Sequence, residues 1–172
     1  YRTTPDCMPH LLDKKNVQML TAHKVFSEAE LKSRCEIMLE NYCKTVLIEA
    51  NTMIDMAKTE IAPAVSAYAL ELANTAAAKK AVDASISCNY EAGLVRKLAR
   101  LEDQIAVKVD DLEEAVMQLQ DAGSIEAESY KIRDVILGKM GELRVACDEA
   151  ETMTAKKYWP FPTYGDLLFG VK

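Results

Sequence analysis

Glycine and proline are scarce in this chain: 6 and 5 among 172 residues. A strand-and-turn protein of this length needs more of both at its reversals, so the composition points to helices. Histidine is scarcer still, with only His10 and His23. The five cysteines, Cys7, Cys35, Cys43, Cys88 and Cys147, are odd in number and contain no C-x-x-C pair. A zinc site needs closely spaced thiolates and imidazoles, so no metal-binding residue is expected. Reduced, buried thiols in a cytoplasmic protein are the expected state. There is no basic block: Lys and Arg number 21 against 27 Asp and Glu, a net charge of −6, which argues against nucleic acid as a partner. No apolar run approaches the ~20 residues of a membrane span, and no signal peptide opens the chain. The first residue is Tyr1 rather than Met, as expected of a piece of a longer protein.

The motifs of common chemistries are absent too. There is no G-x-x-x-x-G-K-[ST], no G-x-G-x-x-G and no H-E-x-x-H. Neither histidine follows a Glu by three, as a di-iron bundle would require. Two histidines near the N-terminus leave little room for Ser-His-Asp or Cys-His catalysis. No catalytic or cofactor-binding residue is therefore expected. Glu49, Asp55 and Glu60, which flank Met53 and Met56, read as a solvated helix face beside a Met-rich core.

What remains is periodicity. Residues 1–26 read as a connecting segment with one short helix from about His10 to His23. Ser27-Glu28-Ala29-Glu30 is a capping box and marks a helix start. Leu31, Cys35, Met38, Tyr42, Val46, Met53, Ala57, Ile61, Val65, Tyr68 and Leu72 recur at spacings of three and four, with one gap of seven, and predict a core-facing stripe. Pro63 removes a donor and crowds the Thr59 carbonyl, which predicts a kink. A second helix from about Tyr90 to Asp121 has Leu94, Leu98, Leu101, Ile105, Val109, Leu112, Val116 and Leu119 as its seam. Ala122-Gly123-Ser124 closes it and caps a third, from about Ile125 to Lys157, faced by Ile132, Val135, Ile136, Met140, Leu143, Cys147 and Ala150. Gly138 and Gly141 either weaken that helix or admit a close neighbour. The expected fold is all-α: residues 27–157 form an antiparallel bundle of three long helices, the first kinked near Pro63, with the short N-terminal helix ahead of it.

Residues 158–172 differ. Tyr158, Trp159, Phe161, Tyr164 and Phe169 are five of the eleven aromatic residues of the chain, and Pro160 and Pro162 forbid a regular helix across the first half. The segment is expected to be an extended tail. Five aromatic rings are costly to leave in water, so these five residues are the expected docking contacts, either back onto the bundle or onto another domain or subunit.

The run Tyr158-Trp159-Pro160-Phe161-Pro162-Thr163-Tyr164-Gly165-Asp166-Leu167-Leu168-Phe169 resembles the C-terminal end of type III glutamine synthetases. Glu30-Leu31-Lys32-Ser33-Arg34 with Glu40-Asn41-Tyr42, Glu49 through Ala57, Ile61-Ala62-Pro63-Ala64, and Pro9, Lys15-Asn16 and Val25 before Ser27 resemble the same family. The resemblance implies a parent enzyme that ligates ammonia to glutamate with ATP and Mg or Mn, in a ring of subunits. It implies that this region is a non-catalytic C-terminal helical module whose partners are the upstream catalytic domain and other subunits of a homo-oligomer. Residues 86–129 depart most from the family pattern. The alternative is a stand-alone helical adaptor that binds a partner helix.

Overall fold

The computed structural model describes residues 2–121 and 123–170, without the side chains of Gln120, Asp121 and Tyr164. Of the described chain 84% is helical and none is strand. The all-α expectation is met. Among the described residues eight α-helices follow one another: α1 (Thr4–Cys7), α2 (Lys14–Ala22), α3 (Glu28–Met56), α4 (Ala62–Val82), α5 (Asn89–Met117), α6 (Ile125–Lys131), α7 (Leu137–Met153) and α8 (Tyr164–Phe169). The expected N-terminal helix starts earlier than the sequence suggested, as a 3₁₀ turn at Met8–Leu12. It breaks at Asp13, which leaves the helical region with ψ 137°, before α2 begins.

The capping box forms as read. The Ser27 amide donates to Glu30 Oε2 at 2.7 Å, and the Glu30 amide donates to Ser27 Oγ at 3.3 Å. Pro63 acts one turn upstream of itself. Residues Ala57–Ile61 form a π-helical turn, and the Ala62 amide donates to the Ala57 carbonyl, five residues back. Widening the turn accommodates the missing donor and the crowded Thr59 carbonyl while the helix continues. A second π-helical turn, Ile132–Ile136, joins α6 to α7 with no proline to cause it. Ser124 caps α6 as expected, accepting from the Ala127 amide at 3.2 Å, and Gly123 takes the positive φ of 75° that favours glycine. Ala122, the first residue of the expected closure, lies outside the described residues. A methyl group added at Gly138 or Gly141 would meet nothing within 4 Å, so no close neighbour requires these glycines.

Two compact units emerge, residues 1–52 with 112–140 and residues 53–111 with 141–172. The first buries Leu31, Cys35, Leu39, Cys43, Val46 and Ala50 of α3, with Leu112, Ala115, Leu119, Ile132 and Ile136. The second buries Ile54, Ala57, Ile61, Val65, Leu72, Leu98, Leu101, Ile105, Val109, Leu143, Ala146 and Ala150. Each fully buried leucine or isoleucine contributes roughly 1.5–3 kcal/mol by leaving water. The α3 stripe differs from the expected one. Met38 is 48% exposed and Leu39 is buried instead. Two apolar residues stand side by side there, and only the step of four from Cys35 through Leu39 to Cys43 holds the face. Ala50 fills the gap of seven. Val135 is likewise exposed, one residue from buried Ile136. The third helix stops at Met153, short of Lys157.

Candidate functional site

The tail leaves α7 through a turn closed by the Tyr158 amide on the Ala155 carbonyl at 2.8 Å. That turn carries Lys157 and Tyr158 onto α4, within the second unit. The Tyr158 hydroxyl donates to Glu71 Oε2, and Lys157 Nζ reaches the two oxygens of the same carboxylate at 2.8 and 2.6 Å. The Tyr158 ring rests against Tyr68, one turn before Glu71, with centroids 5.5 Å apart and planes at 38°. Hydrogen bonds from Lys157 and then Tyr158 hold the Glu71 carboxyl below its usual range. The same contact with Glu71 pushes the Lys157 ammonium and the Tyr158 hydroxyl up. Each group is thereby held in the protonation state that suits the tether.

Beyond Tyr158 the five expected contacts part company. Trp159 and Phe161 are half-buried and pack edge to face, centroids 6.3 Å apart across Pro160. The side chain of Tyr164 lies outside the described residues. Phe169 is 84% exposed, with Leu167 and Leu168 beside it at 68% and 69%. The tail is not extended throughout, because Thr163-x-x-Asp166 is itself a capping box that starts α8. The Thr163 amide donates to Asp166 Oδ2 at 3.0 Å and the Asp166 amide returns to Thr163 Oγ1 at 3.4 Å. Lys156 adds an ion pair to Asp166 at 2.7 Å, and these bonds, Lys156 first, lower the carboxyl to about 2. A side chain at Gly170 would strike the Asp166 carbonyl, so glycine ends the helix.

The structure also shows what the sequence reading missed. Glu71 and Tyr68 receive the tail, and nothing in their local pattern pairs them with residues 86 to 90 positions away. In the first unit the N-terminal segment has its own tether. Arg133 Nη1 meets Asp6 at 2.5 Å, its guanidinium lies 4.8 Å from the Tyr130 ring centroid, and the Tyr130 hydroxyl donates to the Pro5 carbonyl at 3.4 Å. Asp134 holds the other edge of Arg133 at 2.6 and 2.8 Å. Glu49, Asp55 and Glu60 are exposed, as expected of a solvated face. Burial pushes the Cys43 and Cys147 thiols up to about 11, which keeps them protonated and unreactive near neutral pH. Among the described residues no group of three or more His, Cys, Asp or Glu is placed to hold a metal ion, and no helix is long and apolar enough to cross a membrane.

Residues 1–80 match the family model described as the glutamine synthetase C-terminal domain. The similarity extends further along the chain. A glutamine synthetase of Butyrivibrio fibrisolvens is 31% identical over 172 residues, 99% of this chain and 24% of that protein. A type-3 glutamine synthetase of Dictyostelium discoideum is 25% identical over 97% of this chain and 23% of its own length. A glutamine synthetase of Bacteroides fragilis is 24% identical over 96% of this chain and 23% of its own length. The chain thus spans about a quarter of the length of these glutamine synthetases.

Proposed function

We propose that this chain is the non-catalytic C-terminal helical module of a type III glutamine synthetase, and that its tail is an anchor with two halves. The inner half, Lys157 and Tyr158, fastens the tail to α4. The outer half, capped helix α8, presents Leu167, Leu168 and Phe169 to the catalytic domain of the same protein or to a neighbouring subunit. The parent enzyme would ligate ammonia to glutamate with ATP and Mg or Mn in the cytoplasm, as a homo-oligomer. The three helical stretches 28–82, 89–121 and 125–153 would run as an antiparallel bundle, because short turns join them.

One observation carries this reading: three adjacent large apolar side chains stand exposed on a helix that is deliberately capped. A disordered end has no use for the Thr163–Asp166 box or for the Lys156 ion pair. Exposed apolar residues held in fixed geometry mark a contact surface. The chain should show no γ-glutamyl transfer or ATP-dependent glutamine formation above a buffer blank. Glutamine formation by the purified chain would overturn the non-catalytic assignment. Removing residues 158–172 from the full-length protein should reduce its assembly or activity, and an unchanged protein would overturn the anchor.

A further inference from the structure

Helix α5 has two seams. The inner one, through Leu98, Leu101, Ile105, Val109 and Leu112, is buried. On the opposite side run Arg96, Arg100, Asp103, Val107, Asp110 and Glu114, all exposed. They alternate in steps of four and three and so share one face of the helix. At 100° per residue they centre about half a turn from the inner seam. Val107, in the middle, is 56% exposed. Arg96, Arg100, Asp103 and Asp110 form no ion pair with a described residue, and Glu114 accepts only the neutral Gln118 amide at 3.0 Å.

The order of the charges is informative. Cations come first along the stripe and anions follow. Laid antiparallel on a copy of itself, with the two-fold axis beside residue 105, the helix sets Arg100 against Asp110 and Arg96 against Glu114, and each pair occurs twice. Asp103 then faces Val107. A parallel, in-register pairing would set Arg on Arg and Asp on Asp. We infer that the outer face of α5 is a docking surface for the same face of a second copy of this chain, in antiparallel register. Two chains of net charge −6 repel over most of their surfaces, and on this stripe the two arginines of each copy meet acids of the other. The family match ends at residue 80, so this face lies outside the matched residues, and the inference does not rest on the proposed function.

Charge reversal and charge swap test the pairing. The full chain should self-associate in sedimentation at low ionic strength, and less so as salt rises. Arg100→Glu or Asp110→Arg alone turns two attractions into two repulsions and should weaken the dimer about tenfold or more. Arg100→Glu with Asp110→Arg should restore it, at unchanged net charge. A second measurement is independent of these variants. In Asp103→Cys/Val107→Cys, mild oxidation should link position 103 of one copy to 107 of the other, identified by peptide mapping. A chain that stays monomeric at low salt, single reversals without effect, a charge swap as weak as either single, or links joining only like positions would each overturn the proposal.

Discussion

The two ends of the chain are fastened alike and finished differently. At the N-terminal end, Asp6 pairs with Arg133 while the Tyr130 ring and hydroxyl hold the guanidinium and the Pro5 carbonyl. At the C-terminal end, Glu71 takes Lys157 and Tyr158 while the Tyr68 ring supports Tyr158. Each tether combines a carboxylate, a cation and a tyrosine. The N-terminal segment then buries Pro5 and leaves Leu11 and Leu12 half-covered, with Met19 and Val25 about half exposed and apart from each other. The C-terminal segment instead folds a capped helix and points Leu167, Leu168 and Phe169 at water. A tether that ends in burial serves the domain. A tether that ends in an ordered, exposed apolar helix serves something beyond it.

Substitutions can break or sharpen that contrast. The largest effect belongs to the first unit: Ile132→Ala empties a fully buried site and should cost about 2–5 kcal/mol of unfolding free energy in denaturant titration. Phe169→Ala should stay within about 0.5 kcal/mol in the same assay, because its ring is already in water. A comparable loss at both positions would show that the Phe169 ring is packed in a core and does not stand in water. Next come the two capping boxes. Ser27→Ala should cost the chain about 1 kcal/mol, since α3 is part of its core. Thr163→Ala should fray α8 alone, visible as faster amide exchange over 164–169 with the global transition unmoved.

Smaller still is Tyr158→Phe. It keeps the ring on Tyr68 and removes the hydrogen bond to Glu71, so the melting temperature should fall slightly while residues 156–163 lose exchange protection. The smallest effect is acidification of Asp166. Its folded value is depressed, so its contribution is present above the ordinary value of 3.8 and lost as pH falls towards about 2. Amide shifts of 163–169 should report that loss in this window. Melting of α8 centred well above pH 4 would show that another group controls it.

The helices were legible because each rests on local signals. Ser27-x-x-Glu30, Ser124 and the apolar seam of α5 can be read from neighbours three or four residues apart; the structure keeps both caps and buries Leu98, Leu101, Ile105, Val109, Leu112 and Leu119 of the seam, with Ala115 buried in place of Val116. Where two apolar residues adjoin, as Met38 and Leu39 do, periodicity leaves two faces open and packing chooses. Pro63 announced a disturbance, but its form, a π-helical turn at Ala57–Ile61, depends on how the helix redistributes its hydrogen bonds. The tail stands out in the sequence by its aromatics, and within it Thr163-x-x-Asp166 is a capping box as plain as the first. Its receiving residues were not legible at all. Glu71 and Tyr158 lie 87 residues apart, and no local rule joins them.

The division of the tail into an inner and an outer half is tested most directly by Leu167→Asp/Phe169→Asp in the full-length protein, with its mass followed by sedimentation beside the melting temperature of the isolated chain. Loss of the largest assembly with an unchanged melting temperature of the chain is the expected result. An assembly of unchanged mass, or a chain that melts several degrees lower, would show that α8 contacts nothing beyond its own domain.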